Sequence, residues 1–108
     1  MAILQMDENE ERELREFVTE IRNCMEPFKP QDVVIIYYKE HMWDELEAYK
    51  IEVRIPGLKL DTSLSITIET LEDARDKDAL AFTIGQNFSR QFRNWHTTPE
   101  DNIILGEN

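Results

Sequence analysis

The chain holds one cysteine, Cys24, in 108 residues. A single thiol makes no internal disulfide, so a small secreted scaffold stapled by bridges is excluded. Glycine is almost as scarce, with only Gly57, Gly85 and Gly106. A phosphate cradle needs glycines grouped at the start of a helix, and three scattered ones exclude a nucleotide-hydrolysing loop. Two histidines beside the lone cysteine leave no spaced set of imidazole and thiolate donors for zinc. No apolar run approaches the roughly 20 residues that a membrane helix needs. Met1 to Met6 lacks both the basic flank and the apolar length of a signal peptide, so the expected compartment is the cytoplasm.

Positive charge is also in short supply. Twelve Lys and Arg stand against 23 Asp and Glu, a net charge of −11. DNA, RNA and anionic membranes reward cations that neutralise phosphates, so direct binding to any of them is disfavoured. The same charge favours a basic protein partner and keeps a small protein in solution. What is present suffices for one domain spanning 1–108. Hydrophobic residues make up 41% of the chain, and five Phe, three Tyr and two Trp supply bulk for a modest core.

The acidity is uneven. Residues 1–26 carry eight acids and three bases, residues 40–47 four acids and no Lys or Arg, and residues 69–78 five acids and two bases. The tail 100–108 adds three acids, whereas residues 79–99 hold Arg90 and Arg93 and no acid.

The first element predicted is a helix over about 8–25. Asp7 and Glu10 have the spacing of a capping box, and Glu8, Glu10 and Glu11 suit the positive end of the helix dipole. Leu14, Phe17, Val18, Ile21, Cys24 and Met25 recur at steps of three and four, and Pro27 and Pro30 end the run. Three strands follow. Val33 to Tyr38 is β-branched and aromatic on both faces; Tyr49, Ile51, Val53 and Ile55 alternate with charge until Pro56-Gly57; Leu64, Ile66 and Ile68 alternate with Ser63, Ser65, Thr67 and Glu69. The expectation is an α+β domain: an N-terminal helix packed on an antiparallel β-meander of three or four strands, with a C-terminal aromatic helix. Residues 79–95 satisfy two periods. Leu80, Phe82 and Ile84 alternate like a fourth strand, while Leu80, Ile84, Phe88, Phe92 and Trp95 share one helical face with Asp78 as cap. Gly85 would cost such a helix about 1 kcal/mol, which favours a strand to Ile84 and a helix from Asn87 to Trp95. Thr98 to Asp101 has the residues of one last short turn, with Gly106 as terminator. The second apolar face of Val34, Ile36 and Tyr38 needs a cover, for which the C-terminal helix is the first candidate and a second chain the other.

No catalytic, cofactor-binding or metal-binding residue is expected, and the chain reads as a non-enzyme. Cys24 lies on an apolar helical stripe, where a thiol is inert. Ser63, Ser65 and Ser89 lack the glycine-flanked turn of a nucleophile. His41 with Asp44 and Glu45 is the one local donor cluster, and its spacing matches no metal site.

Carboxylates are what remain. Glu13, Glu16 and Glu20 line up on one helical face. Glu40, Asp44, Glu45 and Glu47 surround Trp43, and an aromatic anchor ringed by charge is a common form of binding hot spot. Rigid carboxylates can occupy a cationic groove in competition with phosphate. In size, acidity and element pattern, though in no motif, the chain resembles small inhibitors: immunity proteins, antitoxins and phage-encoded antagonists of nucleic-acid-guided defence. The expectation is a protein–protein interaction module that inhibits a basic nuclease or nucleic-acid-binding protein through Glu40, Trp43, Asp44, Glu45, Glu47, Glu13, Glu16 and Glu20. The alternative is a structural or chaperone-like assembly factor acting as a homodimer through the two-faced strand.

Overall fold

The computed structural model describes residues 3–42 and 46–97, with the backbone alone at 95–97. Helix α1 spans Glu8–Asn23. Its capping box is complete: the Glu10 N–H donates to the Asp7 carboxylate at 2.8 Å and the Asp7 N–H to Glu10 Oε1 at 3.1 Å. Leu14, Phe17, Val18 and Ile21 form its buried stripe. At its C-terminal end the Gln86 amide donates to the Cys24 carbonyl at 2.7 Å, which satisfies one acceptor that the last turn leaves open.

Four strands make one antiparallel sheet in the order β1-β2-β3-β4: Ile3–Leu4, Val34–His41, Glu47–Ile55 and Leu60–Thr67. The three-strand meander predicted from alternation is β2-β3-β4, with a short 3-10 turn at Pro56–Leu58 between β3 and β4. Register follows the pattern of side chains. Ile51 lies opposite Tyr37 and Leu64, and Glu52 opposite Ile36 and Ser63. Val33, Ile35, Tyr49, Ile51, Val53, Ile55 and Ile66 thus share the inner face, where they join the α1 stripe in one core.

The fourth strand differs from the expectation. It is β1, which pairs only with Lys39 and Glu40 at the β2 edge. Residues 79–84 are helical instead, within α3, Lys77–Thr97. The Ala79 N–H donates to the Asp76 carboxylate at 3.0 Å, so the cap sits two residues ahead of Asp78. Ala81, Ile84, Phe88, Ser89 and Phe92 form the buried stripe of α3. Gly85 is the reason that a helix wins here. A Cβ at that position would lie 2.8 Å from the Ile21 carbonyl oxygen and 3.0 Å from Cys24 Cβ, so α3 approaches α1 more closely than any larger residue allows. The packing gained outweighs the helix-propensity cost at that one site. A short helix α2, Ile68–Asp73, is capped by Thr67 and ends β4 two residues before the alternation does.

Both long helices therefore cover the inner face. The C-terminal aromatic helix was expected over the second face of β2, and that expectation is corrected: Val34 is 43% and Ile36 39% exposed on the outer face. The buried stripe of α3 packs on α1 and β4 at the inner side of the sheet, with Phe28 edge-on to Phe92 at 6.1 Å.

A candidate acidic interface

Glu10 is the hub of the polar contacts over β2 and β3. Lys39 on β2 donates to Glu10 Oε2 at 2.8 Å and lies 3.7 Å from Glu47 Oε1 at the start of β3. The Tyr49 hydroxyl donates to the same Glu10 oxygen at 3.4 Å. The Lys39 bond holds the Glu10 carboxyl below its usual range, against the opposing effect of burial, and the same bond raises Lys39. Burial, reinforced by the Glu10 charge, pushes the Tyr49 phenol far up. Tyr37 is raised by burial and by its 3.0 Å bond to Glu11.

Beside this hub lie two adjoining clefts. The first, about 350 Å³, is lined by Asp7, Glu10, Glu13, Glu47 and Glu72 with Lys77. The second, about 320 Å³, is lined by Glu13, Glu16 and Asp78 with the same Lys77. Glu13 and Lys77 are common to both, so the clefts form one acidic corner among α1, β3, α2 and the start of α3. Seven carboxylates line it against one lysine. Asp78 approaches Glu16 and Phe17, and seven residues on Gly85 meets Cys24, so α1 and α3 run in the same direction. Their N-termini both open toward the corner, and two positive dipole ends offset part of the repulsion there.

The structure brings together Glu13, Glu16 and Glu47 of the predicted residues. Glu47 is where the two predicted acidic segments, remote in sequence, meet. Glu20 lies further along α1, accepting from the Cys24 thiol at 3.6 Å. Glu40 is corrected: it is 1% exposed on the outer face, opposite Ala48 and Ile3, and offers no surface carboxylate to a partner. Trp43, Asp44 and Glu45 lie outside the described residues, as does the short turn predicted from Thr98. Asp7, Glu10, Glu72 and Asp78 were not foreseen as members of the site. The signal for Glu72 and Asp78 was the acidic run 69–78, whose position next to α1 only the tertiary fold supplies.

Cys24 is partly buried and its thiol is raised, chiefly by burial and by Glu20, which keeps it protonated and unreactive. Among the described residues no group of three or more His, Cys, Asp or Glu is placed to hold a metal ion, and no helix is long and apolar enough to cross a membrane. No protein-family model, curated protein or solved structure matches the chain.

Proposed function

We propose that the protein is a non-enzymatic interaction module that binds and inhibits a basic, nucleic-acid-handling protein in the cytoplasm. The observation that carries this reading is the acidic corner, in which seven carboxylates from four elements face one lysine. Glu10 and Glu47 are partly neutralised by Lys39, while Glu13, Glu16 and Glu72 remain for a cationic partner. Carboxylates fixed on three helices and a strand end are held at set spacings, as the phosphates of a nucleic acid are, and compete for the same groove. Trp43, Asp44 and Glu45 stand just before Glu47 in sequence, and this reading assigns them to the same contact, the aromatic as anchor and the carboxylates as its charged rim. The mode of inhibition assigned here, in an immunity-protein, antitoxin or anti-defence role, is occupation of the site that the nucleic acid would take.

The test is capture of a target from host lysate at about 0.1 M salt and release at about 1 M, where the screening length shortens from roughly 10 Å to 3 Å. A nuclease or nucleic-acid-binding protein should be retained by the native chain, released by salt, and blocked in its own activity by the complex. Replacing Glu13, Glu16 and Glu72 together by Gln should abolish capture and flatten the salt dependence. Equal capture by native and substituted chains rejects the corner as the binding site.

A further inference from the structure

Strand β4 bounds the sheet on one side, and among the described residues no strand pairs with its free edge. It runs antiparallel to α3. Near its start the Thr62 hydroxyl donates to Gln91 Oε1 at 3.1 Å, while Ile68, just past its end, lines a cleft with Lys77 at the start of α3. Between the two elements lies a cleft of about 250 Å³. Leu64, Ile84 and Phe88 give it an apolar lining, and Ser63, Arg90 and Gln91 a polar one. No carboxylate of the described residues lines it, and Arg90 makes no salt bridge with a described residue. The slot is thus the reverse of the acidic corner: apolar, with one cation, beside a row of backbone groups that need partners.

The chain itself continues from the mouth of this slot. Helix α3 ends at Thr97, at the end where β4 begins, and Pro99 cannot carry the helix on. Residues 98–108 lie outside the described residues, and their sequence has two features. Glu100, Asp101 and Glu107 make it acidic, without Lys or Arg, and Ile103, Ile104 and Leu105 form an apolar run closed by Gly106.

We infer that residues 102–105 turn back along α3 and pair parallel with the free edge of β4 as a fifth strand, over the cleft. Parallel neighbours need a long crossover between them, usually a helix, and α3 is one. The reach agrees. Ile103 stands up to about 20 Å of extended chain from Thr97. Phe88 and Ile84 lie about 13 and 20 Å back along the helix from the same point. Successive side chains alternate, so either Ile103 and Leu105 or Ile104 alone enters the cleft, and burying two gains more than burying one. Ile104 then joins the outer face beside Ser63 and Ser65.

The charges agree as well. Glu100 and Asp101 enter at the head of the slot, where Lys59 precedes β4 and Arg90 lines the wall. Asp61, the one acid of β4, stands on the outer face opposite Arg54. Gly106 ends the run before Glu107 is carried to α2, with its Glu69, Glu72 and Asp73. A segment tethered at the mouth has an effective concentration of about millimolar, which places it ahead of a free peptide of the same character. The slot shares no lining residue with the acidic corner, so this inference stands independently of the proposed inhibitor role.

The experiment uses the full chain in solution NMR. Nuclear Overhauser contacts should join the Ile103 and Leu105 methyl groups to the Phe88 ring, and the backbone of 102–105 to that of 62–65. They should persist on dilution and vanish in an isotope-filtered experiment on mixed labelled and unlabelled chains, which detects contacts between copies alone. The free-edge N–H groups of 62–65 should exchange at least roughly 10-fold faster when Ile103→Asn and Leu105→Asn are combined, while those of 49–53 keep their protection. Arg90→Glu should speed the same exchange several-fold, and adding Glu100→Lys with Asp101→Lys should restore it. The contacts are read in the native chain, so a variant that fails to fold leaves the test intact. Their absence overturns the inference, as do contacts found only between copies, edge exchange indifferent to the Ile103 and Leu105 substitutions, or an added acidic peptide that occupies the cleft of the native chain.

Discussion

The two faces of the sheet have nearly equal numbers of side chains and very different loads. The inner face carries Ile35, Tyr49, Ile51, Val53, Ile55 and Ile66, each at most 8% exposed, under two helices. The outer face carries Lys50, Glu52, Arg54, Ser63 and Ser65, with Ile3, Val34 and Ile36 as its open apolar residues. The apolar core of this molecule lies on one side of the sheet, and the other side is largely polar and open. That asymmetry sets the order of the effects that follow.

The largest lies where the inner layer is thickest. Phe92 is fully buried against Phe28 and the sheet. Phe92→Ala should cost about 3–5 kcal/mol in chemical denaturation and leave the chain marginal or unfolded. Next is Gly85→Ala. Propensity alone would make it stabilising by about 1 kcal/mol, yet the new methyl meets backbone at 2.8 Å. Separating α1 from α3 costs about 1–3 kcal/mol, so the net change should be a lower melting temperature; a higher one would show that the helices are free to part.

Glu10→Gln tests the polar rim of the inner layer and should cost about 1 kcal/mol near neutral pH through loss of the Lys39 ion pair. Its pH dependence has a definite sign. The folded Glu10 carboxyl lies below its ordinary value of 4.5, so it contributes its full stability above that pH and loses it as pH falls through the depressed value. The gap between native and Glu10→Gln proteins in urea unfolding should therefore close in acid. In alkali the direction reverses. Tyr37 and Tyr49 hold their protons beyond about pH 10, where the unfolded chain gives them up, so stability should fall as pH rises past that point. The smallest effect belongs to the outer face. Ile36→Thr should change stability by less than about 0.5 kcal/mol in urea unfolding. A cost comparable to that at Phe92 would mean that the outer face is covered after all.

Local signals in the sequence account for α1 and the meander. The Asp7–Glu10 box, the stripe from Leu14 to Ile21 and the alternation from Tyr49 to Ile55 each have one solution, and the fold adopts it. At 79–84 two periods fit the same residues, and the choice is made by the close approach at Gly85 to Ile21 and Cys24, a contact that no local pattern records. The end of β4 was hidden for a related reason: Ile68 continues the alternation while Thr67 caps a helix. The acidic corner was legible in its parts, as three separate acidic runs. Their union depends on α1 and α3 lying parallel, which no single run records. Glu40 read as a surface carboxylate because neighbouring acids suggested a loop, but its strand extends to His41 and buries it.

The division of charge across α1 has one more consequence. Glu13 and Glu16 face the corner on one flank, while Arg15 and Arg22 stand over β2 on the other. The helix thus carries a transverse dipole in addition to the axial one of its peptide units. Such a field acts before contact, turning an approaching charged body during diffusion so that productive orientations are oversampled. On the proposed role, a cationic body would be rotated toward the corner and away from the arginine flank before any contact forms.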